Sequence, residues 1–104
     1  YQVVDKIDRV DNWCETSCSA LFAYALHKAA RLGYVGAEFS EYAMKAYNGI
    51  MAIVKTENNR LIIPEICVGT NVSDYEQYIS RPRVDNDSHG TGTFMLMCSE
   101  FAAN

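Results

Sequence analysis

Apolar and polar positions along the 104-residue chain fall into three stretches with helical spacing, separated by polar or proline-containing segments. The first runs from about Glu15 to Leu32. Asn12-Trp13-Cys14-Glu15 has the N-cap to N3 spacing of a capping box and predicts its start, and Gly33 predicts its end. The middle, Ala20-Leu21-Phe22-Ala23-Tyr24-Ala25-Leu26, is apolar on every side of a helical wheel. That is the pattern of an inner helix enclosed by neighbours. The second stretch, Phe39 to Val54, differs. Phe39, Tyr42, Ala43, Ala46, Tyr47, Ile50 and Val54 recur at three- and four-residue steps, and Glu38, Glu41, Lys45 and Asn48 take the other side. One wet face predicts an outer helix, and the short link Gly33-Tyr34-Val35-Gly36 makes the two an antiparallel αα-hairpin.

Thr56 to Arg60 reads as a polar break. Leu61 to Val68 is β-branched but interrupted by Pro64, which predicts an extended segment or small edge hairpin outside any sheet core. A long irregular loop then runs from Gly69 to about His89. It has room for a short helical turn at Asp74 to Ile79 before Arg81-Pro82-Arg83 ends it, and loops this long are commonly functional in compact domains. The third stretch, about Gly90 to Ala103, is apolar nearly all round through Phe94-Met95-Leu96-Met97-Cys98 and predicts a second inner helix.

The order inner, outer, loop, inner defines an all-α class: two inner helices and one outer helix, with a long loop and a short extended segment, as in part of a two-layered ring. Two helices apolar all round cannot be covered by one outer helix, and large apolar patches call for another surface. The expected covering is the remainder of a barrel or another copy of the chain.

Composition narrows the functional classes. With 49% hydrophobic and 21% charged residues the chain is of ordinary globular type, one domain at most. A net charge of −4 with scattered Lys and Arg gives no attraction for a phosphate backbone, so nucleic acid is not an expected partner. The longest apolar runs fall short of the roughly 18 to 20 residues needed to cross a bilayer, so no membrane is expected either. The sequence opens at Tyr1 without an initiator Met or a basic, then apolar, leader, so its natural start is not visible; the location expected is cytoplasmic. Cys14 and Cys18 have a C-x3-C spacing without a second close pair, and Cys67 and Cys98 stand among apolar residues. The expectation is four reduced, packed thiols and no metal site.

Three groups of residues carry a family resemblance. The first comprises Tyr1-Gln2-Val3-Val4-Asp5, Asp11-Asn12-Trp13-Cys14-Glu15-Thr16-Ser17 and the apolar run from Ser19 to Leu26. The second comprises Gly69-Thr70 and Tyr78-Ile79-Ser80-Arg81-Pro82-Arg83; the third is Asn86-Asp87-Ser88-His89-Gly90-Thr91-Gly92-Thr93-Phe94. In this order the chain resembles the closing portion of family 105 glycoside hydrolases, the unsaturated rhamnogalacturonyl hydrolases, which are related to family 88. The resemblance implies the C-terminal part of an (α/α)6 barrel, with residues 1–104 a segment of a single domain. It also implies release of a 4,5-unsaturated uronic acid from lyase-generated oligosaccharides by hydration of the ring double bond, with no metal or organic cofactor. The family's acid is an aspartate upstream of the matched segment, so no catalytic acid is assigned among Asp5, Asp8, Asp11, Asp74, Asp85 and Asp87.

For a substrate bearing a carboxylate, the starts of the inner helices are the natural contact points, because unsatisfied N–H groups and the positive dipole end lie there. At the first, Trp13 can face a sugar ring while Glu15 and Ser17 bind hydroxyls; alternatively Glu15 caps the helix and Trp13 packs on the entering chain. At the second, Asp87 or Ser88 can cap, and His89 can bond substrate, orient an acid or serve structure alone. Arg81 and Arg83 can each take a uronate carboxylate or pair internally with Glu65, Glu76 or Asp85. His27 sits on the solvent-leaning end of the first helix without an obvious partner. The candidate binding residues are therefore Trp13, Glu15, Ser17, Arg81, Asp87 and His89.

Overall fold

The computed structural model describes residues 1–103. Helix α1 spans Thr16–Arg31 and begins one turn later than the capping box predicts. Glu15 is itself the N-cap, in extended conformation, with its carboxylate accepting from the Cys18 N–H at 2.8 Å. Asn12 Oδ1 instead accepts from the N–H groups of Val3 and Trp13, fixing the entering loop. The C-terminus follows the sequence. Gly33 at φ +76° allows Gly33 N–H to reach Ala30 O and Tyr34 N–H to reach Ala29 O, the paired bonds of a Schellman motif.

Helix α2 covers Phe39–Ile53 and returns antiparallel to α1. The segment read as a polar break is in fact a hairpin. Strand β1, Lys55–Glu57, pairs antiparallel with β2, Arg60–Ile62, across Asn58 and Asn59 at φ 51° and 63°. Asparagine tolerates that left-handed region, and two such residues in succession give the turn whose twist matches a two-residue hairpin. Beyond it, β3 at Ile66–Cys67 pairs antiparallel with β4 at Arg83–Val84. The sheets are as small as the proline implied and form no sheet core, yet the segment is packed inside the molecule: Ile63 and Ile66 are buried in the central cluster. Between these strands α3, Tyr75–Ile79, is capped by the Asp74 carboxylate on Gln77 N–H. Helix α4, Ser88–Ala102, starts two residues earlier than predicted, capped by Asp87.

Helix α1 packs on both α2 and α4 and is the centre of the molecule. Ala20 and Ala23, fully buried, keep its flanks narrow, and Phe94 and Met97 of α4 fill the space with Ile50 of α2. At the C-terminal ends of α1 and α4, Arg31 reaches the buried Glu100 with Nε at 2.7 Å and Nη2 at 3.0 Å. His27 joins them through Nδ1 at 3.0 Å and lies on Phe101, 4.3 Å between ring centroids, so it has the partner its sequence position did not disclose. The inner helices thus run parallel, with their starts together at the opposite end. Outward of this layer Leu21, Phe22, Met95 and Leu96 are 44 to 69% exposed, and the molecule is a slab 39 × 37 × 22 Å across. Within this chain the all-round apolar helices keep an open side.

Candidate functional site at the starts of the inner helices

A cavity of about 340 Å³ opens where α1 and α4 begin, with Glu15, Ser17, Phe22, Thr70 and His89 on its wall. Sequence neighbours did not bring these groups together; the β3 segment does so by threading between the two helix starts. Glu15 is the joint. It is 2% exposed, and Oε2 accepts from Cys18 N–H while Oε1 accepts from Cys67 N–H at 3.1 Å and from the Ser17 hydroxyl. A carboxyl group surrounded by three donors has its hydrogen-bonding capacity met and holds α1 against β3. Ser17 is fixed by the same contact and remains on the cavity wall.

Trp13 takes the packing alternative. It is 6% exposed, donates Nε1–H to Ile79 O at 3.0 Å, and has the Arg83 guanidinium 4.3 Å from its ring centre, so it offers no free face to the cavity. Arg83 also meets Glu65 Oε2 at 3.0 Å, the internal pairing open to it from sequence. Among the described residues Arg81 has no such partner. It donates Nε–H to Gly69 O at 2.8 Å and lines a separate polar cavity with Thr70, Ser73 and Gln77.

At the second helix start Asp87 Oδ1 accepts from the His89 backbone N–H at 2.9 Å and lies 2.6 Å from the His89 Nδ1. The backbone N–H first and the imidazole second hold the Asp87 carboxyl below the usual carboxylate range. With Nδ1 occupied, Nε2 is the ring nitrogen that approaches Gly69, 3.4 Å from where a Cβ would stand. A Cβ there would make only ordinary contact, so it is the backbone, at φ +105°, that gives Gly69 its reason to lack a side chain.

Two residues essential to this geometry, both inside the family motifs, received no role from sequence. Asn86, at φ 57°, accepts from Ile63 N–H at 2.7 Å and donates to Leu61 O at 2.9 Å, tying β2 and its following turn to the start of α4. Its position ahead of an Asp-Ser cap, in a residue type that tolerates the left-handed region, was the available signal. Gln2 reaches Tyr78 O at 3.0 Å across 76 positions, and nothing local announces that. Tyr75 and Tyr78 do pin the loop: Tyr75 donates to Asp11 at 2.7 Å, and Tyr78 accepts from Ser73 N–H at 2.8 Å.

All four cysteines are free, with Cys67 buried but Cys14 exposed rather than packed. Burial first, and the Glu15 charge second, push the Cys18 thiol up to about 11, which keeps it protonated and unreactive at neutral pH. Among the described residues no group of three or more His, Cys, Asp or Glu is placed to hold a metal ion, and no helix is long and apolar enough to cross a membrane.

One layer of parallel inner helices, an antiparallel outer helix, and a cavity at the inner helix starts define part of an (α/α)6 barrel of the glycoside hydrolase type. The model of Glycosyl Hydrolase Family 88 matches residues 1–104. A solved structure of a family 105 glycoside hydrolase from C. acetobutylicum superposes on 97% of the chain with a TM-score of 0.88 and 33% identity. Two curated relatives, Protein Atu3128 of Agrobacterium fabrum and the 24.9 kDa protein in the picA locus of Rhizobium radiobacter, are each 32% identical over 95% of the chain. The chain belongs to glycosyl hydrolase family 88. It spans about half (49%) of each curated relative and 31% of the solved hydrolase.

Proposed function

We propose that the chain is the C-terminal segment of a barrel hydrolase that removes a 4,5-unsaturated uronic acid from the non-reducing end of lyase-generated oligosaccharides, with pectin or rhamnogalacturonan fragments as the substrate class. The single observation that carries this reading is the cavity shared by both inner helix starts, within a chain matched over its whole length by the family model. Its wall offers the Ser17 and Thr70 hydroxyls and the His89 imidazole, and its one carboxylate, Glu15, is surrounded by donors. The positive ends of α1 and α4 favour the substrate's carboxylate there.

Hydration of the ring double bond needs a proton at C4 and water at C5, after which the hemiketal opens and releases the sugar. In this reading none of the aspartates of this chain supplies that proton. Asp87 is held by His89, Asp74 caps α3, Asp11 accepts from Tyr75, and no aspartate lines the cavity. In this reading Ser17, Thr70 and His89 bind and orient the uronate, Asp87 positions His89, and Arg81 acts at the neighbouring cavity. Trp13 and Glu15 act indirectly, by holding the walls. The acid belongs to the rest of the barrel, which also covers the exposed apolar side.

The test is absorbance of the conjugated double bond with an unsaturated galacturonyl disaccharide. The expected result is no loss with the chain alone and loss when the polypeptide completing the barrel is supplied. Turnover by the chain alone would place the acid here and overturn the assignment. The open apolar side also favours a second reading, a non-catalytic helical module that self-associates. An assembly that stays inactive with the barrel-completing polypeptide would establish that one instead.

A further inference from the structure

The loop from Gly69 to Val72 stands between three cavities, and they differ in charge. The cavity at the helix starts includes Glu15, and the one beside the N-terminal segment includes Asp5. The third, of about 450 Å³, has Arg81 on its wall and no acid at all, in a chain that carries 13. Arg81 is also set apart by its partners. Arg9, Arg31 and Arg83 each meet a carboxylate, and Arg60 stands exposed on the hairpin, whereas Arg81, half-buried, spends its Nε on the Gly69 carbonyl. That bond orients the guanidinium and leaves its forked Nη1 and Nη2 edge without an internal acid among the described residues. Around it Thr70, Asn71, Ser73 and Gln77 supply hydroxyl and amide groups of the kind that bond sugar hydroxyls.

We infer that the Arg81 cavity is a second sugar subsite that takes a unit carrying a carboxylate, adjoining the terminal uronate across Gly69 and Thr70. The inference rests on the proposed function and narrows it. Gly69 and Thr70 line both cavities, so one linked pair of sugars can lie against the same loop with a unit on each side. A planar guanidinium fork matches a planar carboxylate in two parallel hydrogen bonds, which a neutral second unit cannot make. The preferred substrate is then a fragment with two consecutive uronates rather than one whose second sugar is uncharged.

The experiment titrates the ¹⁵N-labelled chain with unsaturated digalacturonate and, separately, with unsaturated galacturonosyl-rhamnose. With the first, the Arg81 Nε–H and the Ser73 amide should shift together with His89 and Ser17; with the second, only His89 and Ser17 should shift. Arg81→Gln should weaken digalacturonate binding roughly tenfold and leave the rhamnosyl compound within about twofold. Because Arg81 also holds Gly69, Gln77→Glu serves as the second variant. It places a negative charge in the cavity without touching that bond, and should weaken digalacturonate alone. Shifts at His89 and Ser17 with Arg81 silent, or equal losses for both sugars in both variants, overturn the second subsite while sparing the proposed function. No shift at any of these groups with either compound overturns both.

Discussion

At the start of α4, Gly90 lies so close to Ile66 that a Cβ there would stand 2.5 Å from the Ile66 side chain. Ile66 is fully buried and cannot swing away, so Gly90→Ala should cost about 1 to 3 kcal/mol through overpacking, measured by urea unfolding. Ile66→Val in the Gly90→Ala background should recover part of that loss, since one of the clashing atoms is removed; equal stability of Gly90→Ala and wild type would show that the contact yields freely. Sequence showed that small residues here permit close approach, but not what approaches. The same holds for Glu15. Its position at a helix start was legible, while its hydrogen bond to Cys67, 52 positions away, was not. Trp13 had two open uses, and only the nearness of Arg83 and Ile79 decided between them. For the candidate site, residue types and helix starts could be read locally, whereas Gly69 opposite His89 could not.

Between elements, the join of α1 to α4 depends on one ion cluster at their C-terminal ends. Glu100 is 5% exposed, and its carboxyl is held down to about 2, first by the Arg31 hydrogen bonds and then by His27, against the opposing effect of burial. A depressed carboxyl contributes stability that is complete above its ordinary value of 4.5 and is lost as pH falls through about 2. Glu100→Gln should therefore cost about 1 to 3 kcal/mol at neutral pH. The gap from wild type should shrink as pH falls between those two values, read from urea midpoints across pH. A gap independent of pH would mean that packing, not charge, accounts for the loss. The helix pattern placed His27 at the end of the first helix but gave it no partner, because periodicity records which face is apolar and not what lies opposite. The hairpin at Asn58 and Asn59 was missed for a different reason. Its strands are exposed and carry no alternating apolar signal, so the turn residues alone marked it.

Across the whole molecule, Phe22 and Leu96 lie on the open side of the inner layer, in a slab only 22 Å thick. Apolar side chains left in water on one broad face favour association. Sedimentation should show the isolated chain as species heavier than 11.7 kDa, shifting toward that mass in a Phe22→Ser, Leu96→Ser double variant. A rigid wild-type monomer would remove the need for any covering partner. The amphipathic spacing, the capping residues and Gly33 by themselves determined three long helices, their order and the distinction between inner and outer layers, since these depend on neighbours within a few positions. Only the tertiary structure decided that β3 passes through the core, that Glu15 faces inward and that Arg81 stands over a cavity free of acids. Those outcomes follow from contacts between distant segments, where space and charge are settled by what the rest of the chain brings alongside.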